Sequence, residues 1–438
     1  MRTVTAFAAT ALTIATVATA QQSPSPPLPV VPPPRADLTQ TSATRISLDD
    51  AIRMALQHNH ALLAARSTIL QNQAQEITAN LRPNPVISWD SQFFPLFNPG
   101  QFSANYLENQ SQFDFGIGYL FERGKKRQHR LQAAQAQTAV TRSQVTDNER
   151  TLTFNVSQQF IAVLLAQSTL EFAQQNLDSF QQSVQVSELR YKDGDISESD
   201  LLKIKLQLLQ FQTDLSAAKL AKVEALVALR QFLGYESVPD NYDVQGELDY
   251  QPVHAGVDDL KALALRTRPD LQAAQQGITL ARTQEALAQA ISKRDLNVTF
   301  DYTHTAGINS AALFFNIDLP IFDRNQGEIA RTRAAITQSQ EQASEASEQV
   351  LSDVYNAYET LHSNDEIISL YRGGYLDQSK ESRDITEYSY KRGAASLLDF
   401  LDAERSYRAT QVAYRQALAS YMTAVEQLRE ATGTRSLP

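Results

Sequence analysis

Two short acidic segments hold the side chains best placed for chemistry in this chain. Tyr191-Lys192-Asp193-Gly194-Asp195-Ile196-Ser197, followed by Asp200, returns 199 residues later as Tyr390-Lys391-Arg392-Gly393-Ala394-Ala395-Ser396, followed by Asp399. In each, the glycine supplies the positive φ of a tight turn and the serine caps the helix that follows. Asp200, Asp399 and Asp402 then fall near a helix start, where the positive end of the helix dipole favours carboxylates. By residue type alone, that is structural chemistry. Six histidines are scattered along the chain, and His58 and His60, two apart, point to different sides of a helix. They are read as surface residues near a helix start, not as metal ligands. No nucleophile with its base, phosphate loop or metal-ligand spacing stands out. The expectation is a non-enzyme with no cofactor and no metal site. A net charge of −10 argues against nucleic acid as a partner.

The elements that position these turns are long helices. From Lys125 to Tyr191 no proline or glycine interrupts the chain, enough for a helix of ~100 Å. Val156, Val163, Leu170, Leu177 and Val184 fall seven apart within it, the narrow apolar seam of a coiled coil. Between Gln326 and Tyr390, the residues Val354, Leu361, Ile368 and Tyr375 repeat the interval, with Gly373 and Gly374 predicted to weaken that helix locally. After each glycine turn a return helix is predicted, over 197–233 and 396–432, and Lys222 is the one charged intruder in its seam. Helices at 59–81 and 269–292 would stack end to end on the return helices, giving quasi-continuous columns. Asp49-Asp50 with Ala55-Leu56 and Asp258-Asp259 with Ala264-Leu265 form a further similar pair, so the chain is a tandem duplication, 46–250 and 251–432, with a tail at 433–438. The glutamine-rich outer faces suit a wall with water on both sides, or the solvated surface of a two-stranded coiled coil.

Residues 1–20 combine Arg2, an apolar stretch and Ala18-Thr19-Ala20, the pattern of a cleaved signal peptide, and 21–45 read as a proline-rich, extended linker. There is no cysteine, which excludes disulfide staples and a cysteine-borne lipid anchor. No later run of 18 apolar residues exists, so transmembrane helices are excluded while a β-barrel is left open.

At 86–94, 112–121, 296–303 and 311–321 the apolar period switches from seven to two. Phe113, Phe115, Ile117, Tyr119 and Phe121 alternate with polar residues and glycine, and Leu313, Phe315, Ile317, Leu319 and Ile321 do the same. Such strands face lipid on one side and water on the other, or a soluble core and solvent. Four strands leave open edges, which a bilayer does not tolerate, and the smallest membrane barrels need about eight. Strands that span a membrane must therefore be pooled by several copies.

With these features in hand, the chain resembles the TolC superfamily of outer-membrane efflux proteins from about Ile46 to Thr432. The resemblance rests on the duplicated order of helix, hairpin, long helix and return helix, and on the two glycine tips. Leu319-Pro320-Ile321-Phe322-Asp323-Arg324-Asn325-Gln326-Gly327-Glu328-Ile329-Ala330 is similar to the cobalt-zinc-cadmium efflux branch. The resemblance implies a mainly α protein with a membrane β part: long coiled-coil hairpins forming an α-barrel, and four strands per chain in a twelve-stranded trimeric β-barrel. It implies a homotrimer in outer-membrane lipid, served by a periplasmic adaptor and an inner-membrane pump of the proton-driven RND type. It also implies that Asp200, Asp399 and Asp402 ring the periplasmic aperture, and that Tyr191, Gly194, Ser197, Tyr390, Gly393 and Ser396 form the tips that meet the adaptor. Ala395 departs from relatives that carry a gate-locking arginine there. The function expected is a passive exit duct for heavy-metal cations. Drug efflux, type I protein secretion and a non-channel periplasmic coiled-coil adaptor stay open as alternatives.

Overall fold

A computed structural model of the chain describes residues 44–437; the predicted signal peptide and nearly all of the linker lie outside them. The first half runs β1 (Arg45–Ile46), α1 (Leu48–His58), α2 (His60–Ala79), β2 (Val86–Gln92), α3 (Ala104–Asn109), β3 (Gln112–Phe121), α4 (Lys126–Asp193), α5 (Glu198–Leu233) and β4 (Asp243–Val244). The second runs α6 (Val257–Thr267), α7 (Pro269–Ile291), β5 (Leu296–Thr305), β6 (Ile308–Asn316), α8 (Gln326–Leu370), α9 (Leu376–Lys391) and α10 (Leu397–Thr432). Among the described residues no helix is long and apolar enough to cross a membrane.

The heptad seams close as their spacing requires. Val156, Val163, Leu177 and Val184 of α4 are buried, as are Leu201, Ile204, Phe211, Leu215 and Leu229 of α5. Lys222, the intruder, reaches Asp243 at 2.8 Å, which pins β4 to the return helix. The end-to-end columns form through side chains at the junctions. Asn59 caps α2 by accepting from the Leu62 amide and donates 3.0 Å to the carbonyl of Phe232 at the end of α5. In the second half Arg268 stands at the same junction, buried, held by Asp270 and Asp353 and reaching the Ala431 carbonyl of α10. His58 and His60 flank Asn59, so His58 ends one helix where the sequence suggested that both lie at a start.

The second long helix corrects the predicted seam. Val354, Leu361 and Ile368 are buried, but Tyr375 is exposed, because the chain makes one wide π-type turn over Tyr371–Tyr375 with Gly374 at φ +126°. A π turn inserts one residue, rotating everything beyond it by about 100°. The seam resumes one residue late, at Leu376, Arg383 and the buried Tyr390. Equivalent seam positions of the halves are therefore 198 apart before the turn (Val163 and Leu361) and 199 apart after it (Leu177 and Leu376).

The strands form one antiparallel sheet in the order β2-β3-β5-β6. Its register places Ile87, Ile117, Phe300 and Leu313 in one row and Trp89, Phe115, Tyr302 and Ala311 in the next, all on one face. On the opposite face Ser88, Gly116, Asp301 and Ala312 form a row beside Asp90, Asp114, Thr303 and Ser310. The apolar face is uncovered, with Trp89 75 % exposed. Three of the predicted strands are corrected at their ends, and β5 runs on to Thr305 rather than 303. β2 stops at Gln92 because Phe93 turns to φ +61°. β6 covers Ile308–Asn316 rather than 311–321: β5 begins at Leu296, so Leu319 and Ile321 have no strand to pair with, and Pro320 lacks an amide proton. The tight turn at Ala306-Gly307, both with positive φ, fixes this register.

If the π turn absorbs one inserted residue, deleting Gly374 should leave the α8–α9 seam in phase and remove a helix-weakening glycine. The expected melting temperature, followed by circular dichroism, is equal to or above that of the parent. Deleting Ser363 instead should lower it, because Ile368 then leaves the seam.

Candidate functional site

Each hairpin tip is built by backbone geometry. Gly194 and Gly393 adopt φ +86° and +77°, and the Gly194 amide and the Asp195 amide donate back to the last carbonyls of α4. Ser197 Oγ accepts from the Asp200 amide at 3.1 Å, and Ser396 Oγ from the Asp399 amide at 3.2 Å. In the second tip the Asp399 carboxylate reaches back to the Ser396 amide, a full capping box with aspartate in place of glutamate. Asp200 also lies 3.4 Å from Lys203, and Asp402, well exposed, lies 3.3 Å from Arg405. The structure thus brings all three carboxylates to the tips, facing solvent.

Behind the turns, four rings stack across four helices. Phe211 of α5 lies on Phe180 of α4 at 4.3 Å, Phe180 faces Phe400 of α10 at 6.1 Å, and Phe400 faces Tyr390 of α9 at 5.1 Å, all within 14° of parallel. A guanidinium closes each end: Arg408 over Phe211 at 4.2 Å and Arg190 over Tyr390 at 5.4 Å. Tyr390 is only 2 % exposed, and its hydroxyl lies 3.0 Å from Ser187 Oγ. Its side chain therefore joins the two hairpins within the chain, and Tyr191 is the exposed tyrosine of the pair.

A guanidinium of the first tip reaches the second. Arg190 Nη1 donates 2.7 Å to the Tyr390 carbonyl, and its Nη2 lies 3.2 Å from where a Cβ on Gly393 would be. Further up, Ser183 donates to Glu387 at 2.9 Å and Arg408 pairs with Asp214. Burial alone would raise the Glu387 carboxyl, but hydrogen bonds from Lys391 and Ser183 and the charges of Lys391 and Arg383 hold it below its ordinary value. Glu404 is different. Burial pushes it up, against the pull of Arg383 and Arg408 and with the push of Glu387 and Asp384. The seams inside each hairpin are apolar, and the junction between hairpins sets arginine, serine and carboxylate contacts around the ring stack.

Sequence reasoning missed the reach of Arg190 and the ring stack, because Arg190 to Tyr390 and Phe180 to Phe400 span 200 and 220 positions between the halves, and it missed Glu404, whose burial depends on that packing. It also missed a second seam on α5. Leu202, Leu206, Leu209, Leu220, Val223 and Val227 keep heptad spacing yet are exposed, and Leu63, Leu70 and Ile77 continue the stripe on α2. Among the described residues no group of three or more His, Asp or Glu is arranged to hold a metal ion.

A helical duplication ending in polar tips, with a lipid-type sheet at the far end, has known relatives. A family model described as outer membrane efflux protein matches residues 51–235 and 260–434. The chain belongs to that family. It is 24 % identical to the cobalt-zinc-cadmium resistance protein CzcC of Cupriavidus metallidurans, over 85 % of this chain and 86 % of that one. It is also 24 % identical to the pyoverdine export outer membrane protein OpmQ of Pseudomonas putida, over 88 % of this chain and 85 % of the other. A crystal structure of CusC superposes with a TM-score of 0.73 at 20 % identity, covering 91 % of this chain and 96 % of that one. The efflux protein is an outer-membrane channel with a periplasmic extension, and its family is not one of enzymes. Membership of a family of outer-membrane channels sets aside the reading as a periplasmic adaptor.

The shift of Glu404 sets a pH dependence. Its folded-state pKa lies above the ordinary 4.5, so its contribution to stability is complete below 4.5 and is lost as pH rises through the folded value. Glu404→Gln removes that loss. In detergent, the variant of the efflux protein is expected to melt above the parent at pH 8, with the difference disappearing below pH ~4.5.

Proposed function

We propose that three copies join head to tail into a passive duct through the outer membrane and periplasm, serving heavy-metal cations. The observation that carries the reading is the pair of unpaired sheet edges. β2 and β6 each have one partner within the chain, and a bilayer offers no water to satisfy the other side. Joining β6 of one copy to β2 of the next closes an even, twelve-stranded barrel, and a rotation that closes makes a ring rather than a filament. The helical layer has matching needs. The exposed stripe on α5 and α2 stands at one edge, and Ile367, Leu370, Ile385 and Tyr388 of α8 and α9 stand exposed at the other.

In this assembly Asp399 and Asp402, with Asp200, ring the periplasmic aperture, and the tips around Gly194, Ser197, Gly393 and Ser396 meet the adaptor. A proton-driven pump of the RND type supplies the free energy. Arg190 takes the locking role that Ala395 cannot. Support for cationic cargo comes from the metal-resistance relatives and from the wall itself. Asp90 faces Asp114 directly across the polar sheet face, Asp301 lies one row away, and the four strands contain no lysine or arginine. Like charges placed opposite each other weaken a sheet, and a wall with one sign of charge concentrates cations.

In planar bilayers, Asp399→Ala combined with Asp402→Ala is expected to raise or deregulate single-channel conductance and to reduce cation preference. Unchanged conductance and selectivity would take these carboxylates out of the aperture. For cargo, deleting the gene should sensitise cells to zinc, cobalt or copper; sensitivity confined to organic compounds or loss of siderophore export would overturn the metal reading and leave the duct intact.

A further inference from the structure

The loop between β2 and β3 stands at the end of the sheet away from the helices, since α2 leads into β2 and β3 leads into α4. Its composition is unlike that of a loop built for water. From Ser91 to Leu107 it has no charged residue, yet it contains Phe93, Phe94, Leu96, Phe97 and Phe102. The opposite end of the same strands is crowded with charge, including Arg82, Glu122, Arg123, Lys126, Arg294 and Asp295, and Lys126 pairs with Asp295 at 2.7 Å.

The loop is also folded. Pro95 is buried, and Phe94 packs edge-on against Phe113 at 5.8 Å and beside Phe102 at 6.4 Å. The Glu108 carbonyl accepts from the Gly307 amide at 2.9 Å and lies 3.1 Å from His304 Nε2, tying the loop to the β5–β6 turn. With that packing satisfied, Leu96 remains 79 % and Phe97 97 % exposed. Phe113 belongs to the apolar face of the sheet, in register with His304 at its rim. The loop's aromatic cluster is therefore continuous with the lipid-facing rows and lies on the opposite face from Asp90 and Asp114.

We propose that this loop is a lipid anchor, with Phe93, Leu96, Phe97 and Phe102 seated in the headgroup and upper acyl region of the outer leaflet beside the barrel. Aromatic side chains favour that boundary, and a segment free of charge loses no ion hydration on entering it. The loop then grips the leaflet at the outer end of the barrel while the charged collar holds the inner end in water.

The absence of native cysteine makes the test direct. Phe97→Cys and, separately, Leu96→Cys in the full chain are labelled with a polarity-sensitive bimane and reconstituted into phosphatidylcholine vesicles containing lipids brominated on the upper acyl chain. Ser310→Cys, on the polar face, is the control. Bromolipid is expected to reduce loop emission about two-fold while aqueous acrylamide, a neutral quencher that the acidic wall does not repel, has little effect, the reverse of the control. Strong quenching by acrylamide, or quenching by neither reagent, overturns the proposal, since the loop then stands in water or is folded over the pore mouth.

Discussion

Backbone amides and carbonyls left unpaired in lipid are the constraint on which this molecule turns. The four-stranded sheet satisfies its inner strands and leaves one side of β2 and one side of β6 without partners. In hydrocarbon each such group costs several kcal/mol, far more than any side-chain contact at the same place returns. A soluble protein would cover the edges with a loop or helix; here the segments beyond them, Arg82 to Pro85 and Ile317 to Asp323, run on toward the helices. The apolar rows reach both edge strands without a break, through Ile87 and Trp89 to Leu313. In the proposed assembly the sheet is a segment of a larger closed surface.

That demand extends into the helices. A ring assembled from repeats needs each repeat to be the same height, and Asn59 and Arg268 meet that need by joining short helices to return helices. The halves still differ by one residue along their long helices, a mismatch that would rotate one tip out of phase. The π turn at Tyr371–Tyr375 absorbs it far above the tip, so that Tyr390 arrives in register to complete the ring stack. Gly373 and Gly374 sit where the helix must widen, and Gly374 takes a φ that few other residues adopt. The tips themselves combine apolar seams within hairpins with a ring stack and polar contacts between them. Hydrogen bonds such as Arg190 to the Tyr390 carbonyl have definite geometry and exchange readily with water, whereas a leucine seam does not come apart without exposing surface.

Much of this was legible in the sequence because the signals are periodic. The spacing of seven from Val156 to Val184 and of two from Phe113 to Phe121 each count many residues toward one element, and both were placed within a few residues of their ends. The weak point at Gly373-Gly374 was visible too, though its effect on phase was not, since a π turn appears only when the positions after it are compared with a neighbouring helix. Edge effects were less readable. Leu319 and Ile321 continue the strand pattern, yet pairing ends where β5 begins, a limit set by another part of the chain. The tips were legible as turns and caps at Gly194, Ser197, Gly393 and Ser396. The burial of Tyr390 and the reach of Arg190 were not, because the same residue type at Tyr191 is exposed and only the packing of one half on the other distinguishes them.

The electrostatics of the candidate aperture follow from how its carboxylates are held. Asp399 is held through Oδ2 by the Ser396 hydroxyl and amide, and Asp200 by the Ser197 hydroxyl with Lys203 beside it, while Asp402 is exposed with Arg405 3.3 Å away. A carboxylate whose oxygens already accept hydrogen bonds can attract a cation through its charge but has few lone pairs free to displace that cation's water. Tight ligation would make release slow, while charge without ligation raises the local cation concentration and lets the ion leave. On the polar sheet face Gln92 and Gln112 each donate to one oxygen of a carboxylate two residues away on the same strand, Asp90 and Asp114. Acids that also cap helices are thus suited to a duct, because the structural bonds that hold them in place are what keep them from becoming a trap.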